Sequence, residues 1–154
     1  MVRIILGCDN AAVSLKNEIT AFLKSKGVDV EDMGVMDASD ETPYPEVAAR
    51  VAKRIIKSGY ADKGILICGT GIGMAIAANK FPGIYAAQVH DVYSAERACL
   101  SNNANVITMG ARVIGPELAK KLVEEWLPLE FIPGRSSSKL DAIRKIEKEN
   151  FRNV

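Results

Sequence analysis

Apolar and polar positions in this chain fall into alternating blocks of two kinds. "RIILG" (Arg3 to Gly7) is a short unbroken apolar run, the pattern of a strand covered on both faces. It gives way to "AAVSLKNEITAFLKSKG", where Val13, Ile19, Phe22 and Leu23 favour one helical face and Gly27 stands where a helix stops. "VDVEDMG" predicts a shorter, more polar strand, and "MDASDETPYP", with its two prolines, a loop. "EVAARVAKRIIKSG" predicts a second amphipathic helix ending at Gly59, "KGILICG" the central strand, and "IGMAIAANK" a helix opening from a glycine loop. Beyond these, "IYAAQV" reads as strand, "DVYSAERACL" as helix, "ANVITMG" as strand and "GPELAKKLVEEWL" as helix. "SKLDAIRKIEKENF" predicts a polar, capped C-terminal helix over about 138–151.

Strand and helix taking turns in this way predict an α/β fold with helices on both faces of an open parallel sheet. The expected architecture is a Rossmann-like three-layer sandwich with a five-stranded parallel sheet, one domain over residues 1–154. Ligands of such sheets bind beyond the carboxyl ends of the strands. That rule directs attention to the loops "GCDNAA", "DASDETPYP", "CGTGIG", "VHDVYS" and "GARVIG".

Bulk properties remove several classes of function. A net charge of +1, with 48% apolar and 25% charged residues, gives no electrostatic case for nucleic acid or an acidic membrane. Three cysteines (Cys8, Cys68 and Cys99) make an odd count without metal-type spacing, which predicts free thiols in a reduced, cytoplasmic setting. The amino-terminal apolar run is too short for a signal peptide, and none reaches transmembrane length.

"CGTGIG" departs from the dinucleotide fingerprint: after Gly69 and Gly71 the third glycine position is Met74, and Gly73 comes one residue early. No Lys-Ser/Thr follows, so a Walker A loop is excluded as well. Asp32 lies about where a ribose-binding acid is expected, but "GCDNAA" lacks the glycines to go with it. What remains is a helix start with bare amides beside Cys68 and the Thr70 hydroxyl, suited to a phosphate or a developing oxyanion. Against this stands a structural cysteine at a strand end, with glycines for close packing. Asp9 is open between a helix cap and a carboxylate that binds hydroxyls or moves a proton. His90 is the single histidine, which argues against a metal site. Arg112, Arg135 and Lys139 are candidate phosphate ligands, with surface ion pairs as the alternative.

Taken in order along the chain, "GCDNAA", "PYP", "GILICGTGIGMAIAANKFPGI", "YSAERA", "NNANVITMGARVIGPELA" and "PGR" resemble the ribose-5-phosphate isomerase B family, which includes the galactose-6-phosphate isomerase subunits. The resemblance implies aldose–ketose isomerisation of a phosphorylated sugar through a cis-enediolate, with no cofactor and no metal. It implies that Cys68 is the base, that Thr70 assists, and that the amides of Gly69, Gly71, Ile72 and Gly73 hold the enediolate oxygens. Asp9 would bind the reacting hydroxyls, Tyr44 would line the pocket, and Arg112 and Arg135 would take the phosphate. It further implies a homodimer or tetramer with sites at the subunit interface, Arg135 and Lys139 serving the neighbour's pocket.

The chain also departs from that pattern. Asn10 stands where a His follows the Asp, Ser101 where a ring-opening His precedes the retained Asn102, Ser136 after Arg135, and Lys139 for an Arg. A tetrose 4-phosphate has its O4 esterified and cannot close to a furanose, so its isomerase needs no ring-opening group. "HDVYSAERACLSNNANVITMGARVIG" and "GRSSS" are likewise similar to the branch acting on D-erythrulose 4-phosphate. The expectation is a tetrose phosphate substrate. The alternatives are ribose 5-phosphate, with His90 or water opening the ring, and a non-catalytic subunit that partners an active paralogue.

Overall fold

The computed structural model describes residues 2–151. Five strands form one parallel sheet in the order β2-β1-β3-β5-β4: β1 (Ile4–Cys8), β2 (Val30–Asp32), β3 (Lys63–Cys68), β4 (Ala86–Gln88) and β5 (Val106–Gly110). β1 and β5 are buried along their whole length, and β3 at every residue after Lys63. Their side chains meet helices on both faces, which is why these segments read as unbroken apolar runs. The edge strands β2 and β4 are three residues long and more polar, as short protected edges are.

The helices are α1 (Val13–Ser25), α2 (Tyr44–Lys57), α3 (Ile72–Ala78), α4 (Val92–Leu100), α5 (Pro116–Trp126) and α6 (Ser137–Asn150). α5 packs against both α1 and α4, and α2 packs against α3, giving the expected three layers. Gly27 and Gly59 take positive φ just past α1 and α2, so both predicted stops fall where a left-handed residue ends a helix. α2 begins earlier than its pattern indicated. Pro43 is its N-cap and Pro45 lies within the first turn, where a missing N–H costs nothing. That start draws Tyr44 out of the loop and onto the helix. The expected cap on α6 is absent: Ser136 makes no side-chain bond there, and the Gly134 N–H instead donates to Ser137 Oγ at 2.8 Å.

α6 is fastened to the amino-terminal end of the sheet. Its Leu140 is buried, and Glu147 accepts from the Gly83 amide (2.8 Å) and the Tyr85 hydroxyl (3.0 Å). Among the described residues, no helix is long and apolar enough to cross a membrane.

Candidate active site

The chain reverses direction across the sheet between β1 and β3, and the crevice at their carboxyl ends is where open α/β sheets bind ligands. Asp9 follows β1, Cys68 ends β3, and the β5 register sets Gly110 beside Cys68, so that Arg112 follows two residues on. An open cleft of about 420 Å³ lies there, lined by Asp9, Tyr44, Cys68, Gly69, Thr70, Ile72, Gly73, Ile76 and Arg112. Eight of these nine are residues singled out in the sequence, Ile76 being the addition. Its signal was the four-residue spacing from Ile72, which puts both on the exposed face of α3.

The glycine loop owes its shape to close contacts. Gly71 has φ +78°, and a Cβ there would come within 2.9 Å of the Met109 backbone. Tyr44 lies on Gly73 so closely that a Cβ would meet its ring at 2.5 Å. The Arg112 guanidinium covers Gly69, and the Arg112 amide donates to the Gly69 carbonyl at 3.0 Å. The loop's amides converge on the two candidate side chains: Gly71 N–H donates to Cys68 Sγ at 3.1 Å, and Ile72 N–H to Thr70 Oγ1 at 3.3 Å. With seven residues α3 is short, so these aimed amides rather than a long helix dipole supply the positive end.

The capping alternative for Asp9 does not hold. The N-cap of α1 is Ala12, and Asp9 Oδ1 accepts from the Ala11 amide at 3.1 Å in an Asx turn upstream of the helix. Burial pushes the Asp9 carboxyl above its ordinary range, opposed by the Ala11 amide and the Arg112 charge. Asn10, next to Asp9, is exposed and lies outside the cleft lining.

The other thiols are unsuited to the role considered for Cys68. Cys8 is fully buried, donates to the Val35 carbonyl at 3.6 Å, and is pushed up to about 12 by burial, which the nearby Lys16 charge offsets only in part. Burial also raises Cys99, which faces the opposite end of the sheet beside Lys63. Asp32, the position considered for a ribose-binding acid, instead pairs with the fully buried Lys16 at 2.8 Å and accepts the Gly34 amide at 2.9 Å. Among the described residues no three His, Cys, Asp or Glu side chains gather as a metal site.

The remaining candidates are placed elsewhere. His90 is absent from the lining, and its Nε2 accepts the Gly110 amide at 2.9 Å, which makes the ring a structural acceptor for the end of β5. Ser101 caps the far end of α4, and Asn102 borders a small cavity with Leu140 and Arg144. Arg135 and Lys139 are exposed at the start of α6, close to Leu140. These four therefore sit at the amino-terminal end of the sheet, opposite the cleft of their own chain.

Fold and cleft together define a doubly wound α/β protein with a thiol, a carboxylate, an arginine and a glycine loop around an open cleft at the carboxyl ends of its strands. The ribose/galactose isomerase family model matches residues 4–143, and the chain belongs to that family. It is 51% identical over 149 residues to a D-erythrulose-4-phosphate isomerase of Pectobacterium atrosepticum, covering 97% of each chain. It is 48% identical to a ribose-5-P isomerase B of Listeria innocua, covering 97% of this chain and 99% of that one. The crystal structure of ribose-5-phosphate isomerase B from Mycoplasma genitalium with bound ribulose-5-phosphate matches with a TM-score of 0.91 at 36% identity, over 96% of this chain and 97% of that one.

Proposed function

We propose that this chain is an aldose–ketose isomerase of a tetrose phosphate, interconverting D-erythrulose 4-phosphate and D-erythrose 4-phosphate by proton transfer through a cis-enediolate. The hydrogen on a carbon beside a carbonyl is weakly acidic. Its removal needs a base next to donors already aimed at the oxygen that becomes negative. Cys68 is the base, and the amides after it, with Thr70, meet the enediolate oxygens. Asp9, partly buried and with its carboxyl pushed above the ordinary range by that burial, exchanges protons with the two oxygens as the carbonyl moves between them. No metal or cofactor enters this scheme.

The observation that carries the tetrose reading is the absence of an imidazole from the cleft lining. Ser101 stands at the ring-opening position, and His90 has its Nε2 committed to Gly110. A substrate that cannot form a furanose needs neither. The relative named for D-erythrulose 4-phosphate supports the same assignment.

The placement of the proposed phosphate ligands supports an assembly of more than one copy. Arg112 is in the cleft, whereas Arg135, Lys139, Ser101 and Asn102 are at the other end of the sheet, so they complete a cleft only in a second copy. Ile72 and Ile76, 52% and 58% exposed beside Tyr44, give the cleft an apolar rim of the kind a partner subunit covers. The active unit is accordingly a homodimer or higher oligomer with composite sites.

The phosphate role of Arg135 and the composite arrangement are both tested with Arg135→Ala. This variant should raise KM for D-erythrose 4-phosphate by about 10-fold or more while leaving kcat nearly unchanged, because a phosphate contact serves ground and transition states alike. Mixing it with Cys68→Ala chains should restore low-KM turnover, since one site of each mixed pair has both residues intact. An unchanged KM removes Arg135 from the site, and absence of restoration after exchange of subunits contradicts the composite arrangement.

A further inference from the structure

Two polar side chains outside the cleft lining are bonded to the glycine loop. Gln88, the last residue of β4, donates from Nε2 to the Thr70 carbonyl at 2.6 Å. Thr108, in the middle of β5 and fully buried, donates from Oγ1 to the Gly71 carbonyl at 2.8 Å. Gln88 and Thr108 are direct cross-strand partners, so a single rung of the sheet holds two successive peptides of the loop.

A trans peptide is planar, with its C=O and N–H pointing in opposite directions, so fixing the carbonyl aims the amide. The peptide anchored at the Thr70 carbonyl carries the Gly71 N–H, which donates to Cys68 Sγ at 3.1 Å. The peptide anchored at the Gly71 carbonyl carries the Ile72 N–H, which donates to Thr70 Oγ1 at 3.3 Å. Each strand residue is therefore linked through one peptide to one of the two reactive side chains. Bonds in such a chain also polarise one another, strengthening the terminal donor. Local helix geometry supplies only part of this: the Ala75 amide also reaches the Gly71 carbonyl, at 3.1 Å, while Gln88 comes from a strand edge with no other reason to meet the loop.

We propose that Gln88 and Thr108 are positioning residues that aim the glycine-loop amides at Cys68 and Thr70 and so set the rate of proton transfer. This rests on the reading of Cys68 and its loop as the proton-transfer centre. Neither residue touches the cleft, so their loss acts on the chemical step rather than on recognition of the phosphate.

The test compares Thr108→Val, Thr108→Ser, Gln88→Met and Cys68→Ala with the unsubstituted protein, on whichever of D-erythrose 4-phosphate and D-ribose 5-phosphate it turns over. Thr108→Val keeps the shape and removes the donor, whereas Thr108→Ser keeps the donor. Thr108→Val and Gln88→Met should each lower kcat by about 10-fold with KM nearly constant, because small misplacements at a reacting centre are costly. Thr108→Ser should recover most of the rate. A phosphorylated hydroxamic acid, an isostere of the enediolate, should bind both donor-less variants more weakly, while inorganic phosphate binds as before. If Thr108→Val does not fold, the exposed position Gln88 decides by the same readouts. Unchanged kcat in Thr108→Val and Gln88→Met overturns the proposal, as does a parallel loss of kcat and KM quality in Thr108→Val that Thr108→Ser does not rescue. An inactive Cys68→Ala beside a fully active Thr108→Val and Gln88→Met removes the positioning role alone; an active Cys68→Ala removes the proton-transfer reading and the proposal with it.

Discussion

Replacing Cys68 with alanine is expected to lower kcat by about 1000-fold or more, the scale of a general base removed from its proton. The fold should be unaffected. Cys68 is the last residue of β3, and its backbone amide and carbonyl remain in the ladder whatever the side chain. The lost Sγ leaves the Gly71 amide without its acceptor, but the open cleft admits water to it. Neither Cys8 nor Cys99 can take over, since both are buried outside the cleft lining and burial pushes both thiols up. Steady-state kinetics with circular dichroism of the same sample checks this. Near-normal turnover by a folded Cys68→Ala places the base elsewhere.

Gly71→Ala should be nearly as damaging for a different reason. Alanine at φ +78° pays the left-handed backbone penalty of about 1–2 kcal/mol. Its Cβ would also stand 2.9 Å from the Met109 backbone, in the middle of a sheet that cannot yield. The loop must move outward, taking with it the amides that meet Cys68 and Thr70. We expect kcat to fall about 100-fold and the melting temperature to drop by several degrees. Kinetics and thermal unfolding of the purified variant measure both. A variant with normal kcat would show that the amides need not be held where they are.

The sequence announced the fold because the three central strands are covered on both faces. β1, β3 and β5 could not be anything but apolar runs, and the helices between them keep an apolar stripe on the inner side. Boundaries were less legible where local chemistry was misleading: the prolines around Tyr44 look like loop, yet Pro45 is at home in the first turn of α2. The cleft was legible for a topological reason. Asp9, Cys68, the glycine loop and Arg112 follow the carboxyl ends of neighbouring strands, so identifying the strands locates the residues together.

What local pattern could not convey is how far some of the candidates lie from the cleft. Ser101, Asn102, Arg135 and Lys139 belong to loops and a helix start at the far end, and no spacing in the sequence says that they stand apart from Cys68 in their own chain. His90 was the alternative offered for ring opening, but its partner is a backbone amide twenty residues away, Gly110. Gln88 and Thr108 gave no signal at all, because a strand side chain bonding the carbonyl of a distant loop leaves no periodicity to read.

The measurement closest to the central claim is kcat/KM of the purified chain for D-erythrose 4-phosphate and D-ribose 5-phosphate under identical conditions. A clear preference for the tetrose phosphate is the predicted result, tying the cleft without an imidazole to a substrate that has no furanose ring to open. A preference for ribose 5-phosphate would contradict that account and assign ring opening to solvent or to a group outside the cleft described here.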